Sequence, residues 1–234
     1  TDFGFLFVII LWLTVINYFW NCLYTDRKDG SVLFWQSLPI SQSQTLLSKL
    51  IMGLVVAPIV AWACIIITEI IVFILGGVAL SILGFSALNI LWQPGLIALS
   101  WLSLLAVLLI QGLWLIPIIG WLMLCSAYAK KAPFLMAIIP PLVIIIIEAV
   151  VTRYHYAWNF IVGRFTAMGA TWQYFLNLMN HDTGSRTVMS FTPLKHLTLS
   201  TPHYVLAMFI GFVIGLIFIA IAAVLRSRCY GHER

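Results

Sequence analysis

The sequence predicts an all-α polytopic membrane protein, and three observations carry that reading. Of its 234 residues, 63% are apolar and 8% charged, a balance that excludes an ordinary water-soluble core. The apolar residues gather into runs of about 20 or more, each able at about 1.5 Å per residue to cross a hydrocarbon layer of about 30 Å. Runs such as Pro141 to Ile147 and Val205 to Leu225 are apolar throughout, without the alternation of an outer-membrane strand, so helices are left to satisfy the backbone in lipid.

Five spans follow along the chain. The first runs from Phe3 to Tyr24 and the second from Leu50 to Leu75. The third, Leu96 to Tyr128, would reach about 50 Å as one helix, which exceeds the bilayer. A tilted helix, kinked at Pro117 and protruding on the cytoplasmic side, is expected there. The fourth span is Phe134 to Val151 and the fifth Tyr204 to Leu225.

Two connections have structure of their own. Within Gly76 to Gly95, the apolar stretch Val78 to Trp92 is short and broken by Gly84, Asn89 and the Pro94-Gly95 pair, which fits a re-entrant or interfacial helix better than a crossing. In Thr152 to His203, the residues Ile161, Val162, Phe165, Met168, Trp172 and Phe175 recur at helical spacing with Arg164, Gln173 and Asn177 on other faces. That pattern predicts an amphipathic helix on the outer surface.

The net charge of +5 matters through its distribution. Arg27, Lys28 and Lys49 lie in the first connection, Lys130 and Lys131 in the third, and Arg226, Arg228 and Arg234 in the tail. The opposite side has no basic residue in 76–95 and only Arg153, Arg164, Arg186 and Lys195 in 152–203. The excess of basic residues makes the first connection, the lysine pair and the C-terminus cytoplasmic. Thr1 then lies outside, and with no initiating Met and no signal peptide, a further N-terminal span is expected to precede it.

Negative evidence narrows the chemistry. Cys22, Cys64 and Cys125 fall in spans and Cys229 follows the last one, so no disulfide framework is implied. His155, His181, His196 and His203 have no compact metal spacing, and no nucleophile, base and orienting group share one depth. The chain lacks G-x-x-x-x-G-K-[ST], so it cannot cradle a nucleotide phosphate in that way. Neither enzyme activity, a resident metal or cofactor, nor a nucleic-acid partner is expected.

The connection 25–49 is the informative one. A charged cluster, Asp26, Arg27, Lys28 and Asp29, leads through Gly30 and Ser31 into Val32, Leu33, Phe34, Trp35 and Leu38, which Pro39 ends. This reads as a short helix that Ser31 can cap, carrying two large rings at the mouth of two long helices. Such rings can anchor a soluble partner, or can sit among lipid headgroups.

The run DRKDGSVLFWQSLPIS, followed by SKL and a long apolar helix, resembles the coupling segment of ABC-2-type transporter permeases. The stretch Ser126-Ala-Tyr-Ala-Lys-Lys-Ala-Pro133, with Pro140-Pro141 and Glu148 behind it, is similar to Gram-negative members of that family. The resemblance implies a permease subunit of the bacterial inner membrane, working as a homodimer that exports a hydrophobic or amphipathic cargo. It also implies a separate ABC subunit that binds ATP and Mg. Asp26, Arg27, Lys28, Asp29, Gly30, Ser31, Phe34, Trp35, Leu38 and Pro39 would meet that subunit, with Phe34 and Trp35 buried and Arg27 and Lys28 at the rim. The family pattern has six spans and a cytoplasmic start.

Within the spans, an ionisable group in lipid must be paired, hydrated or protonated, so Glu69 is either a candidate for the translocation path or a carboxyl bonded to a neighbouring helix or reaching outward. Asn17 and Gln111 would line the same path or tie helices together. Glu148, close to Arg153, reads as an interfacial ion pair. Gly211 and Gly215 form a G-x-x-x-G that permits close packing, within the chain or between copies. The competing reading is an ATP-independent secondary transporter or channel built on Glu69; a lipid-acting intramembrane enzyme is the third.

Overall fold

A computed structural model describes residues 2–29, 42–84, 94–129, 132–151, 153–181 and 202–231. The described elements are helical throughout: α1 (Asp2–Lys28), α2 (Gln42–Ile51), a π-helical turn (Met52–Val56), α3 (Ala57–Ile82), α4 (Pro94–Tyr128), α5 (Pro133–Val151), α6 (Tyr156–His181) and α7 (Pro202–Gly231). Five stretches are long and apolar enough to cross a membrane: Gly4–Asp26, Ser43–Ile82, Ile97–Tyr128, Pro133–Val151 and Val205–Arg226. By length and composition the chain is a multi-pass membrane protein.

The second crossing is longer than the expected Leu50 to Leu75. It begins in α2, steps through the π turn, and continues in α3 to Ile82. The π turn is marked by the Ala57 N–H, which reaches Met52 O. It precedes Pro58, whose missing N–H leaves Leu54 O without its helical donor. Gly53 in this turn packs flat on Phe19, whose ring atoms would lie 2.4 Å from an added Cβ. Gly76 and Gly77 do not break α3, since glycine inside a helix costs only about 1 kcal/mol. The stop comes at Gly84, with φ of +80°, whose N–H bonds to Ser81 O. The remainder of the expected re-entrant stretch, 85–93, lies outside the described residues.

Helix α4 is the axis. Of its apolar window 56% is buried, against 17% for the windows of α3 and α7 and 6% for α5, and α1, α3, α5, α6 and α7 all pack on it. Leu108, Gln111, Leu115, Ile119, Met123 and Ser126 are fully buried at intervals of three or four residues, a stripe turned inward. The helix continues through Pro117. Its last turn packs against the end of α1, with Ser126, Ala127 and Ala129 all buried.

The G-x-x-x-G of α7 is used inside the chain. An added Cβ on Gly120 of α4 would stand 2.6 Å from Gly215 O, and one on Gly215 would stand 2.5 Å from the Ile116 side chain. The two backbones therefore approach closely, as small residues allow. Gly211, one turn away, lies under the Arg164 guanidinium, 2.5 Å from where its Cβ would be.

Helix α5 is the least buried of the five crossings and is attached in another way. Pro140 and Pro141 lack N–H groups, which frees the carbonyls of Met136 and Ala137 one turn earlier. Donors on α4 fill both vacancies: Trp121 Nε1 donates to Ala137 O at 2.9 Å and Cys125 Sγ to Met136 O at 3.4 Å. In lipid such freed carbonyls need a partner from a neighbouring helix.

Candidate functional site

Two polar constellations stand at opposite ends of the bundle. At the end where α1 finishes and α2 begins, Asp26 faces Lys49 of α2 and Arg226 of α7. The Lys49 ammonium lies 3.0 Å from both carboxylate oxygens and also donates to Cys22 O at 2.9 Å. Arg226 Nη2 lies 3.6 Å from Asp26 Oδ2. These side chains are only 15%, 18% and 5% exposed, so water screens them less than it would a surface pair.

Next to this cluster the backbone of α1 is gripped by α4. The N–H groups of Leu23 and Tyr24 both donate to Ser126 Oγ at 3.0 Å. A hydroxyl and an ammonium from two neighbouring helices thus reach the main chain of α1 within one turn. Lys28 and Asp29, beyond the cluster, are exposed. Gly30, Ser31, Phe34, Trp35, Leu38 and Pro39 lie outside the described residues, as does the side chain of Arg27.

About 30 Å along the second crossing from Lys49, at 1.5 Å per residue, stands Glu69. The Trp101 indole donates to Glu69 Oε2 at 2.7 Å, and the Trp62 indole donates to Trp101 O at 2.7 Å. Trp62 and Glu69 are two turns apart on one face of α3, so this relay fixes α3 against α4. Glu69 also borders a cavity of about 410 Å³, walled by α1, α3, α4 and α6 and largely apolar.

The other path candidates lie elsewhere. Gln111 is 1% exposed and satisfied on every side: its oxygen accepts from Trp12 Nε1 at 2.9 Å, and its nitrogen donates to Thr171 Oγ1 at 3.2 Å and Met168 O at 3.3 Å. It ties α1, α4 and α6 together and does not line the cavity. Asn17 is exposed and accepts from Asn21 Nδ2 at 3.0 Å on its own helix. The structure brings neither residue to Glu69.

Helix α6 is the expected amphipathic helix, but Arg164 is on its buried side, at 3% exposure. Its guanidinium sits over the rings of Phe160 and Trp114, at 4.5 and 5.3 Å, and donates to Ala207 O at 2.9 Å. Burial lowers its pKa from the ordinary value. Glu148 was expected to pair with Arg153; its two oxygens instead accept from the backbone N–H groups of Tyr156 and Ala157, both at 2.8 Å, at the start of α6. A carboxylate there satisfies free helix donors and complements the helix dipole. Arg153, with φ of 55°, makes the turn between α5 and α6.

Lys49, Arg226, Trp62 and Trp101 were not singled out in the sequence as partners. Only the general need of a carboxylate in lipid for a donor pointed to them. Among the described residues no His, Cys, Asp and Glu group is placed to hold a metal. No protein-family model matches the chain, and no curated protein or solved structure shows significant similarity to it.

Proposed function

We propose that this chain is the permease subunit of an ABC-2-type exporter in a bacterial inner membrane. In this reading two copies form the path for an apolar or amphipathic cargo. A separate subunit, with its own ATP and Mg, grips the cytoplasmic segment from Asp26 to Pro39. One observation carries the proposal: both roots of that segment are joined by a short ion pair, Asp26 to Lys49, and α7 adds Arg226 to the same carboxylate. A push on Phe34 or Trp35 would then be passed to α1, α2 and α7 together, and Ser126 and Lys49 would transmit it from the α1 backbone to α4. An exposed loop on loose roots would dissipate the same push.

The test is capture of an ABC ATPase by the intact chain purified from its native membranes, with ATP-driven transport of the captured pair measured in vesicles. Phe34→Ala combined with Trp35→Ala should abolish both. Lys49→Met, which breaks the same pair from outside the gripped segment, should leave capture intact while transport falls, because the push is no longer shared between α1 and α2. If the intact chain captures no ATPase and the double variant transports normally, the proposal fails. Transport that follows an ion gradient without nucleotide would favour a secondary transporter instead.

A further inference from the structure

The cavity beside Glu69 has a chemical bias in its polar groups. Its walls are mostly apolar, and five of its side chains are aromatic: Phe7, Phe73, Trp101, Trp172 and Phe175. Among the described residues that line it, Glu69 is the only ionisable one, and none is Lys, Arg or His. The hydroxyls and the nearest indole are already donating: Thr68 Oγ1 to Cys64 O at 2.8 Å, Ser100 Oγ to Ile97 O at 2.7 Å, and Trp101 Nε1 to Glu69 itself. These groups therefore offer the cavity lone pairs, one carboxylate and ring faces. Each of those features attracts positive charge.

We propose that this cavity binds an organic monocation with bulky apolar substituents. Its size, about 410 Å³, falls within the range of small-molecule sites. The carboxylate is held in place by Trp101 and keeps Oε1 for the ligand's charge, while the aromatic walls take its apolar groups. Val72, on the rim, is 54% exposed, so the cavity is reachable from outside the bundle. Naming this ligand as the cargo rests on the exporter reading; the binding itself does not.

The experiment uses two probes of nearly the same shape and opposite charge, tetraphenylphosphonium and tetraphenylborate, in equilibrium dialysis against the purified full chain in neutral detergent. The cation should bind at one per chain and about tenfold or more tighter than the anion, the scale of one desolvated cation–aromatic and carboxylate contact. Glu69→Gln, whose amide oxygen can still accept from Trp101, should erase that preference. Gly76→Leu places bulk in the cavity, since an added Cβ there meets nothing within 4 Å, and should abolish binding of the cation while Glu69 stays in place. Equal binding of the two probes, or cation binding that neither variant alters, overturns the proposal. Cation binding without any ATPase capture would sink the exporter reading alone, and ATP-driven transport in a chain that ignores the cation would sink this inference alone.

Discussion

Gly120 and Gly215 set the distance between α4 and α7, and a single methyl group measures how much that closeness matters. Gly120→Ala would place Cβ 2.6 Å from a backbone oxygen that no side-chain motion can clear. A loss of about 1–3 kcal/mol is expected, as for other overpacked sites. Gly163→Ala is the control, because its Cβ meets nothing within 4 Å, and it should be neutral or gain up to about 1 kcal/mol from helix propensity. Reversible unfolding in mixed micelles would compare them; equal midpoints would mean that the close approach contributes nothing. At this scale the sequence named several of the residues that matter, including Glu69, Gln111, Glu148 and the α7 glycines, because polar or very small groups are conspicuous in apolar runs. It did not name their partners. Helical spacing tells which face a residue is on, but not which other helix that face meets, so Trp101 for Glu69 and Gly120 for Gly215 were out of reach.

Among the elements, α5 makes the most informative case. Its proline pair exposes two carbonyls, and α4 supplies an indole and a thiol to them. Trp121→Phe should therefore cost about 1–2 kcal/mol beyond its lost packing, the penalty of an unsatisfied acceptor. Pro141→Ala returns an N–H to the Ala137 carbonyl, so the double variant should be clearly less destabilised than the sum of the two single changes. A double-mutant cycle measures this coupling, and strict additivity would show that the indole does not replace the missing N–H. All five crossings were readable from the apolar runs, because length and composition decide a span almost alone. The errors came where composition is silent. The second span was expected to end at Leu75 although the helix runs on through Gly76 and Gly77 to Ile82, and Arg164 was placed away from the apolar face although two aromatic rings and a carbonyl make its burial tolerable.

For the molecule as a whole, orientation is the property on which the proposed mechanism stands. With the native cysteines replaced by Ala, a membrane-impermeant maleimide applied to intact cells lacking an outer-membrane barrier should label Tyr154→Cys and spare Asp29→Cys. Both residues are exposed, so access and not burial decides the result. The reverse pattern would put the segment after Asp26 on the side without ATP. Charge distribution made this prediction possible from sequence. The convergence of Asp26, Lys49 and Arg226 was not foreseeable, since the three are distant along the chain and meet only where α1, α2 and α7 come together beside α4. The same gathering has a further result. With Gly211 and Gly215 turned toward α4 and Arg164, the side of α7 left facing lipid is bristly, with Leu206, Phe209, Phe212, Val213 and Leu216 projecting. A twin chain arriving there would meet large side chains and not the two glycines, so the close backbone approach those glycines permit is taken up within the chain and is not offered to a second copy.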